Sequence, residues 1–144
     1  MRRAFTILFA VGLAIGACGS ETVEAVSVSG TEVCTEVDTQ GDELSRYRCV
    51  ETLDDARVSG TAIVTLTMLD ESVSPIVDAG EFMLENDGGS WSGEWSGVIE
   101  EDGLHTIDGV LLGSGGYDGL QYRARWVFTT TSDGEVTGTI EPSP

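Results

Sequence analysis

Alternation of apolar with polar or small residues runs along almost the whole chain after its N-terminal segment. A helix needs apolar residues every three to four positions, and no part of this region sustains that spacing. Period-two alternation is typical of strands with one buried face. The clearest case is the apolar series Leu120, Tyr122, Ala124, Trp126 and Phe128. The sequence therefore predicts an all-β, antiparallel protein.

Turn residues divide this region into eight predicted strands. The strands lie near 24–36, 45–53, 57–69, 79–86, 90–100, 104–112, 119–131 and 135–141. Most links are short, so strands adjacent in sequence are expected to pair as hairpins; the longest runs from Asp70 to Ala79 and is a candidate flap. Eight such strands predict a closed up-and-down barrel, because closure removes exposed sheet edges. Large and small residues alternate from Trp91 to Gly97, which suits a tapering barrel interior. The alternative is a two-sheet β-sandwich.

The N-terminus predicts export and a lipid anchor. Met1-Arg2-Arg3 precedes an uncharged apolar run over residues 4–17, which resembles a secretory signal peptide. The run ends in Ile15-Gly16-Ala17-Cys18, which resembles a bacterial lipobox with Cys18 as the lipidated residue. The expected organisation is a signal peptide over 1–17, a lipidated tether over 18–23 and a barrel domain over 24–144. The protein is then anchored to the extracytoplasmic face of a bacterial membrane. The alternative is ordinary cleavage nearby with an incidental cysteine.

The charge of the chain excludes one class of partner. Among 144 residues there are 25 acidic and 7 basic side chains, giving a formal net charge of −18. A nucleic-acid partner requires a basic surface, so none is expected. A protein this acidic is held at a membrane by its acyl chains and not by anionic headgroups. The acidic surface is also compatible with adaptation to high salt.

The other two cysteines predict a disulfide. Cys34 and Cys49 flank a polar turn centred on Gly41-Asp42, so two strands folded about that turn bring the cysteines opposite each other. An even number of cysteines in an exported chain favours such a bond. No metal site or cofactor is expected, because the chain has one histidine and no second cysteine pair. The acidic turns at Asp54-Asp55 and 100–102 match no calcium-loop spacing, which favours solvated turns over calcium sites.

An aromatic-rich interior is the candidate ligand pocket. If the barrel is incompletely filled, an apolar pocket for a small hydrophobic molecule is expected, lined by Trp91, Trp95, His105, Tyr122, Trp126 and Phe128. The alternative is that these side chains simply fill the core. No catalytic residue is assigned: no Gly-x-Ser-x-Gly motif occurs, and the only histidine is more often a packed or rim residue than a general base. Arg123 and Arg125 lie on the opposite strand face, where outward ion pairs are favoured over an anion site.

The second half of the chain resembles a known family. The segments are Gly89–Gly97 (GSWSGEWSG), Asp108–Gly113 (DGVLLG), Gly113–Arg123 (GSGGYDGLQYR) and Gly138–Ile140 (GTI). This order is similar to that of the allene oxide cyclase and dirigent-like small barrels, including bacterial relatives of unassigned role. The resemblance covers 90–140 and implies a small barrel. Plant members use polar residues deep in the barrel for cyclisation or to orient radical coupling, and no position of this chain matches those residues.

The expected function is binding of a small ligand or a partner by a membrane-anchored lipoprotein without a catalytic role. The alternative is a cyclase or isomerase acting inside the barrel. An all-apolar cavity favours binding, a cavity with convergent polar groups favours the enzyme, and a filled interior excludes both pocket functions.

Overall fold

The computed structural model describes residues 24–144. The predicted signal peptide, the tether and Cys18 lie outside this range. Within it, no helix is long and apolar enough to cross a membrane. The elements are β1 (Val26–Val37), β2 (Ser45–Leu53), a 3-10 turn (Ala56–Val58), β3 (Gly60–Asp70), β4 (Ile76–Asn86), β5 (Gly89–Ile99), β6 (His105–Gly115), β7 (Leu120–Phe128) and β8 (Asp133–Pro142).

The eight strands form a closed antiparallel barrel in sequence order. Each strand pairs with the next, and β1 closes the sheet against β8 with Val26 opposite Ile140 and Val33 opposite Asp133. The predicted up-and-down barrel is confirmed, and the sandwich alternative is wrong. Closure gives every strand two neighbours, so the sheet has no free edge.

Four predicted strand ends, near residues 57, 79, 112 and 131, each differ from the structure by three residues. The third strand begins at Gly60 and not near residue 57, because Asp55 accepts a hydrogen bond from the Arg57 backbone N–H and starts the 3-10 turn. Half of the predicted long link from Asp70 to Ala79 is strand, since β3 continues to Asp70 and β4 begins at Ile76. Only residues 71–75 remain as a connection, so this segment is a hairpin link and not an extended flap.

Glycines on the inner face make room for the large aromatic residues beside them. Trp91 and Trp95 are buried in the interior, and Gly93 and Gly97 alternate with them. A Cβ atom at Gly93 would overlap the Val110 carbonyl oxygen. The large–small alternation read from the sequence is therefore an interior packing pattern.

One end of the barrel is closed by a plug made of the 3-10 turn, Trp91 and Tyr117. Val58 of the turn is fully buried. The Trp91 indole donates a hydrogen bond to the Arg57 carbonyl at 2.7 Å, and the Tyr117 ring stacks on Trp91 with centroids 5.0 Å apart. The Tyr117 hydroxyl donates to Asn86 Oδ1 at 2.6 Å. We call this the plugged end and the opposite one the open end; β1 starts at the plugged end.

Cys34 and Cys49 form the predicted disulfide. They are direct cross-strand partners on β1 and β2, with Cα atoms 4.0 Å apart, and the turn between the strands falls at Gly41-Asp42 as expected. Cys49 is fully buried inside the barrel. The bond links two strands that hairpin pairing already holds together.

Replacing both cysteines by alanine should lower the free energy of unfolding by roughly 3 kcal/mol, the value expected for a closed loop of about 15 residues. Urea unfolding of the double variant and of the wild type measures the difference. Wild type treated with reductant should show a similar loss. A loss below about 1 kcal/mol in both cases would show that the bond contributes little beyond the hairpin.

Candidate functional site

The open half of the barrel contains a cavity of about 400 Å³. Its walls come from the ends of β1, β3, β5 and β7 and the beginnings of β2, β4 and β6, so it opens at the end opposite the plug. Most of its lining is apolar or aromatic. The lining residues are Glu32, Cys34, Ser45, Tyr47, Cys49, Val64, Leu66, Leu69, Asp78, Phe82, Trp95, Ile99, His105, Ile107, Trp126, Phe128, Thr130 and Thr131.

The six residues predicted to line a pocket separate into two groups. Trp95, His105, Trp126 and Phe128 face the cavity. Trp91 and Tyr122 do not; both are fully buried, and their rings meet edge to face with centroids 5.9 Å apart in the filled half. The interior is therefore neither wholly filled nor wholly hollow.

A pair of buried carboxyl groups lies beside the cavity. Glu32 and Glu51 are direct cross-strand partners on β1 and β2, two residues along each strand from the disulfide. Only 3% of Glu32 and 2% of Glu51 is exposed. Glu32 lines the cavity, and Glu51 accepts a hydrogen bond from the Trp126 indole at 2.8 Å. Trp126 thus connects the aromatic wall to the carboxyl pair.

Burial keeps a proton on this pair near neutral pH. Desolvation raises the pKa of Glu51 from 4.5 to about 7, although the hydrogen bonds from Trp126 and Glu32 lower it. Desolvation, the charge of Glu51 and the hydrogen bond to it raise the pKa of Glu32 well above its ordinary value. Glu32 Oε1 and Glu51 Oε2 accept no hydrogen bond from any other group of residues 24–144. One proton shared by the pair avoids two neighbouring buried negative charges, and these two oxygens still lack a donor from residues 24–144.

Tyr122 lies close to the same pair from the filled half. Its hydroxyl is buried without a hydrogen-bond partner in the part of the chain that the structure describes. Burial, followed by the charges of Glu51 and Glu32, raises the pKa of this hydroxyl far above its ordinary value. Tyr122 therefore stays protonated.

A second polar group stands on the other side of the cavity. His105 Nε2, at the start of β6, lies 3.0 Å from Asp78 Oδ2 and 3.1 Å from Asp78 Oδ1 on β4. Asp78 is buried, while about a quarter of the His105 side chain is exposed. Gly97 makes room for the pair, because a Cβ atom there would overlap Asp78 Oδ1 and lie 2.6 Å from His105 Nε2. The predicted rim histidine is thus a paired residue of the cavity wall.

The potential metal ligands beside the cavity do not form a metal site in the oxidised protein. Glu32, Cys34 and Cys49 bring ligand atoms within 4.8 Å of one another, the one such group of three among residues 24–144. Both sulfur atoms are bonded to each other and so are not thiolates. At one of the acidic turns, Asp54 accepts hydrogen bonds from Ser29 and Asp55 pairs with Arg57.

The two arginines of β7 form ion pairs on the outside of the barrel. Arg123 contacts Glu141 at 2.7 Å and Arg125 contacts Asp108 at 2.8 Å. More than half of each arginine side chain is exposed. The outward ion pairs favoured by the sequence are present, and neither arginine lines the cavity.

Three acidic residues of the site were missed by sequence reasoning: Glu32, Glu51 and Asp78. A signal for the glutamates was available. Once Cys34 and Cys49 are placed opposite each other, counting two residues back on β1 and two forward on β2 pairs Glu32 with Glu51 on the same inner face. The large number of acidic residues concealed this signal. Asp78 was missed because it was assigned to the long link before β4.

No protein-family model matches the sequence, and neither curated proteins nor solved structures give a match. The inference about function therefore depends on the geometry of the cavity.

The free energy of unfolding should decrease as the pH rises from about 4.5 to about 7.5. Over this range unfolded Glu51 is ionised while the folded carboxyl still holds its proton, so the folded state binds more protons and loses stability with rising pH. The pKa difference corresponds to about 3 kcal/mol. Chemical denaturation at a series of pH values measures it.

Glu32→Gln should reduce the loss of stability with rising pH, because it removes a second buried carboxyl group whose pKa is also raised. The matched control is Glu94→Gln, which removes an exposed acidic group from the outer face of β5. The control should keep the wild-type pH dependence. Identical curves for the two variants would contradict a buried, proton-sharing pair.

Gly97→Ala should separate Asp78 from His105 and lower the free energy of unfolding by roughly 1–3 kcal/mol, the usual cost of an added methyl group in a tight interior. The ¹⁵N chemical shifts of the His105 ring report whether the contact is lost. Ser96→Ala, an exposed neighbour on β5, serves as the control and should leave those shifts unchanged. Wild-type shifts in Gly97→Ala would show that the pair does not need this space.

Proposed function

We propose that this protein is an exported, lipid-anchored barrel that binds a small, largely apolar molecule. The observation that supports this most directly is the cavity of about 400 Å³, open at one end and closed by a plug at the other. Its volume falls within the range of about 300–1,000 Å³ typical of small-molecule sites. Eight strands enclose an interior wide enough for one small ligand.

The composition of the wall supports binding. Aromatic and aliphatic side chains supply most of the surface and contribute affinity through burial of apolar area. The carboxyl pair and the Asp78–His105 pair are the polar groups that would orient a ligand. Such a wall admits a molecule with an apolar body and a polar group.

The position of β1 supports a specific orientation on the membrane. If Cys18 carries the lipid, the chain enters the barrel at Val26, which lies at the plugged end. The plug then faces the bilayer and the cavity mouth faces away from it. The Cys34–Cys49 disulfide is in keeping with an oxidising, extracytoplasmic compartment.

The allene oxide cyclase and dirigent-like resemblance is part of this proposal as a likeness of fold. Its strongest motif, the glycine-rich turn before β7, has a packing role here: a Cβ atom at Gly113 would overlap the Tyr117 carbonyl oxygen, and Tyr117 then folds back onto Trp91. The motif supports a barrel with a plugged end and carries no catalytic group.

Native mass spectrometry of the protein purified from its own host's envelope tests the binding function. We expect a reproducible additional mass that is lost on denaturation. Ile107→Trp places a larger side chain in the cavity and should abolish this mass. Val110→Trp, on the outer face of β6, should retain it. Thermal unfolding confirms that both variants fold. A bare protein mass together with no binding of small apolar probes would contradict the proposal.

The lipid anchor is tested by replacing its predicted attachment residue. Wild type should partition with membranes and carry an acyl-modified N-terminal cysteine by mass spectrometry. Cys18→Ser should lose the acyl mass. An unmodified wild-type chain released into the soluble fraction would contradict the anchor without affecting the cavity.

A second candidate function is proton-transfer isomerisation or cyclisation, favoured by Glu32, Asp78 and His105, which line one cavity. A carboxylate can take a proton from a carbon next to a carbonyl group, and a carboxylic acid can return one elsewhere, with no net change in protons. Incubating the recovered ligand with the protein should then yield an isomer of equal mass. Glu32→Gln should stop that conversion, and an unchanged ligand with the wild-type protein would exclude this candidate.

A further inference from the structure

The charged groups around the cavity are almost all acidic. Glu32 and Asp78 line it, and Glu51 contacts the wall through Trp126. No arginine is among the lining residues, and the sequence contains no lysine. His105 is the single basic side chain of the lining, and it is paired with Asp78.

Aromatic side chains line the same cavity as these acidic groups. Five aromatic side chains line the cavity: Tyr47, Phe82, Trp95, Trp126 and Phe128. The faces of such rings attract cations through their quadrupoles, most strongly where water is excluded. An acidic group within an aromatic wall is the arrangement that recognises an organic ammonium ion.

We propose that the cavity binds a small molecule with an apolar body and one protonated amine, and that the ammonium group contacts the Glu32 carboxyl. This inference rests on the proposed binding function and names the chemical class of its ligand. Neutral molecules of the same shape should bind more weakly, and anionic ones are excluded.

The carboxyl pair can satisfy an ammonium ion in both charge and hydrogen bonding. With one shared proton the pair carries a single negative charge, which one ammonium ion neutralises. Glu32 Oε1 accepts no hydrogen bond from residues 24–144, and an ammonium group brings three donors. Pairing a buried, unpaired charge with a counter-ion is strongly favourable.

The net charge of the protein also favours a cationic ligand. A formal net charge of −18 raises the local concentration of cations and lowers that of anions. The cavity mouth is formed by the links after β1, β3, β5 and β7. The first three of these links contain acidic residues, and Asp133 begins β8 directly after the fourth. Electrostatic steering therefore favours a cationic ligand before it reaches Glu32.

Calorimetric titration with three matched probes tests the inference: 2-phenylethylamine, 2-phenylethanol and 3-phenylpropanoate. At pH 8 we expect the amine to bind at least about tenfold more tightly than the alcohol, as for one desolvated charge pair, and the carboxylate to show no binding. Equal affinities for amine and alcohol, or tighter binding of the carboxylate, would overturn the amine inference while leaving the binding function in place. Absence of binding by all three would count against both.

Glu51→Gln assigns the selectivity to the charge of the carboxyl pair, because ionisation of Glu51 gives the pair its charge at pH 8. It should remove most of the preference for amine over alcohol while leaving alcohol affinity within about twofold of wild type. Glu94→Gln removes an acidic group from the outer face and should keep the wild-type preference. If the two variants behave alike, the carboxyl pair does not hold the ammonium group. Unfolding curves establish that each variant is folded.

The amine affinity should also fall about tenfold between pH 8 and pH 6, because Glu51 gains a proton with a pKa of about 7 and the pair loses its charge. The other titratable groups near the pair or the cavity are Asp78 on β4, His105 on β6, Tyr122 on β7 and Tyr47 on β2. Protonation of His105 would weaken amine binding in the same direction. His105→Gln separates the two causes: the pH dependence should persist in this variant, and its disappearance would assign the effect to His105.

Discussion

The pairing of β1 with β8 is the interaction on which the rest of the structure depends. It turns a meander of hairpins into a closed surface, so that the alternation along each strand becomes a division between inside and outside. The β1–β2 hairpin places Cys34 opposite Cys49 and Glu32 opposite Glu51, and closure puts both pairs inside the barrel. Without it, the carboxyl groups of β1 and β2 would lie on an open sheet face in contact with water. Their pKa values would then be ordinary, and both groups would be ionised at neutral pH.

Filling of the interior is uneven, and this produces the site. At the plugged end, Trp91, Tyr117 and Tyr122 occupy the space between the strands, and the 3-10 turn covers them. Toward the open end no comparable plug is present among residues 24–144, and aromatic side chains form walls around the cavity instead. The polar groups lie along this second half. The closely packed region and the cavity thus lie at opposite ends of one continuous interior.

The sequence predicted the strands, most of the turns, the disulfide and the inner face, because each has a local signal: period-two alternation, turn residues, or cysteine spacing about a turn. It did not predict which aromatic residues line the cavity. Trp91 and Trp95 lie on the same face of β5 and have similar neighbours in sequence. They differ only in position along the barrel: Trp91 is part of the plug, and Trp95 lines the cavity. Glu32 and Glu51 were overlooked for a different reason. In a chain with 25 acidic residues, burial and not residue type distinguishes these two, and burial depends on barrel closure.

The most direct test of this account is a ¹³C NMR titration of the glutamate side-chain carboxyl carbons, with Glu32 and Glu51 assigned from their glutamine variants. The account predicts that the two resonances shift together in coupled steps, that neither titrates near the ordinary pKa of 4.5, and that the pair still holds a proton at neutral pH. Independent titration of both carboxyl groups near pH 4.5 would contradict it, because it would show that water reaches them and that the interior is not the closed, acidic cavity described above.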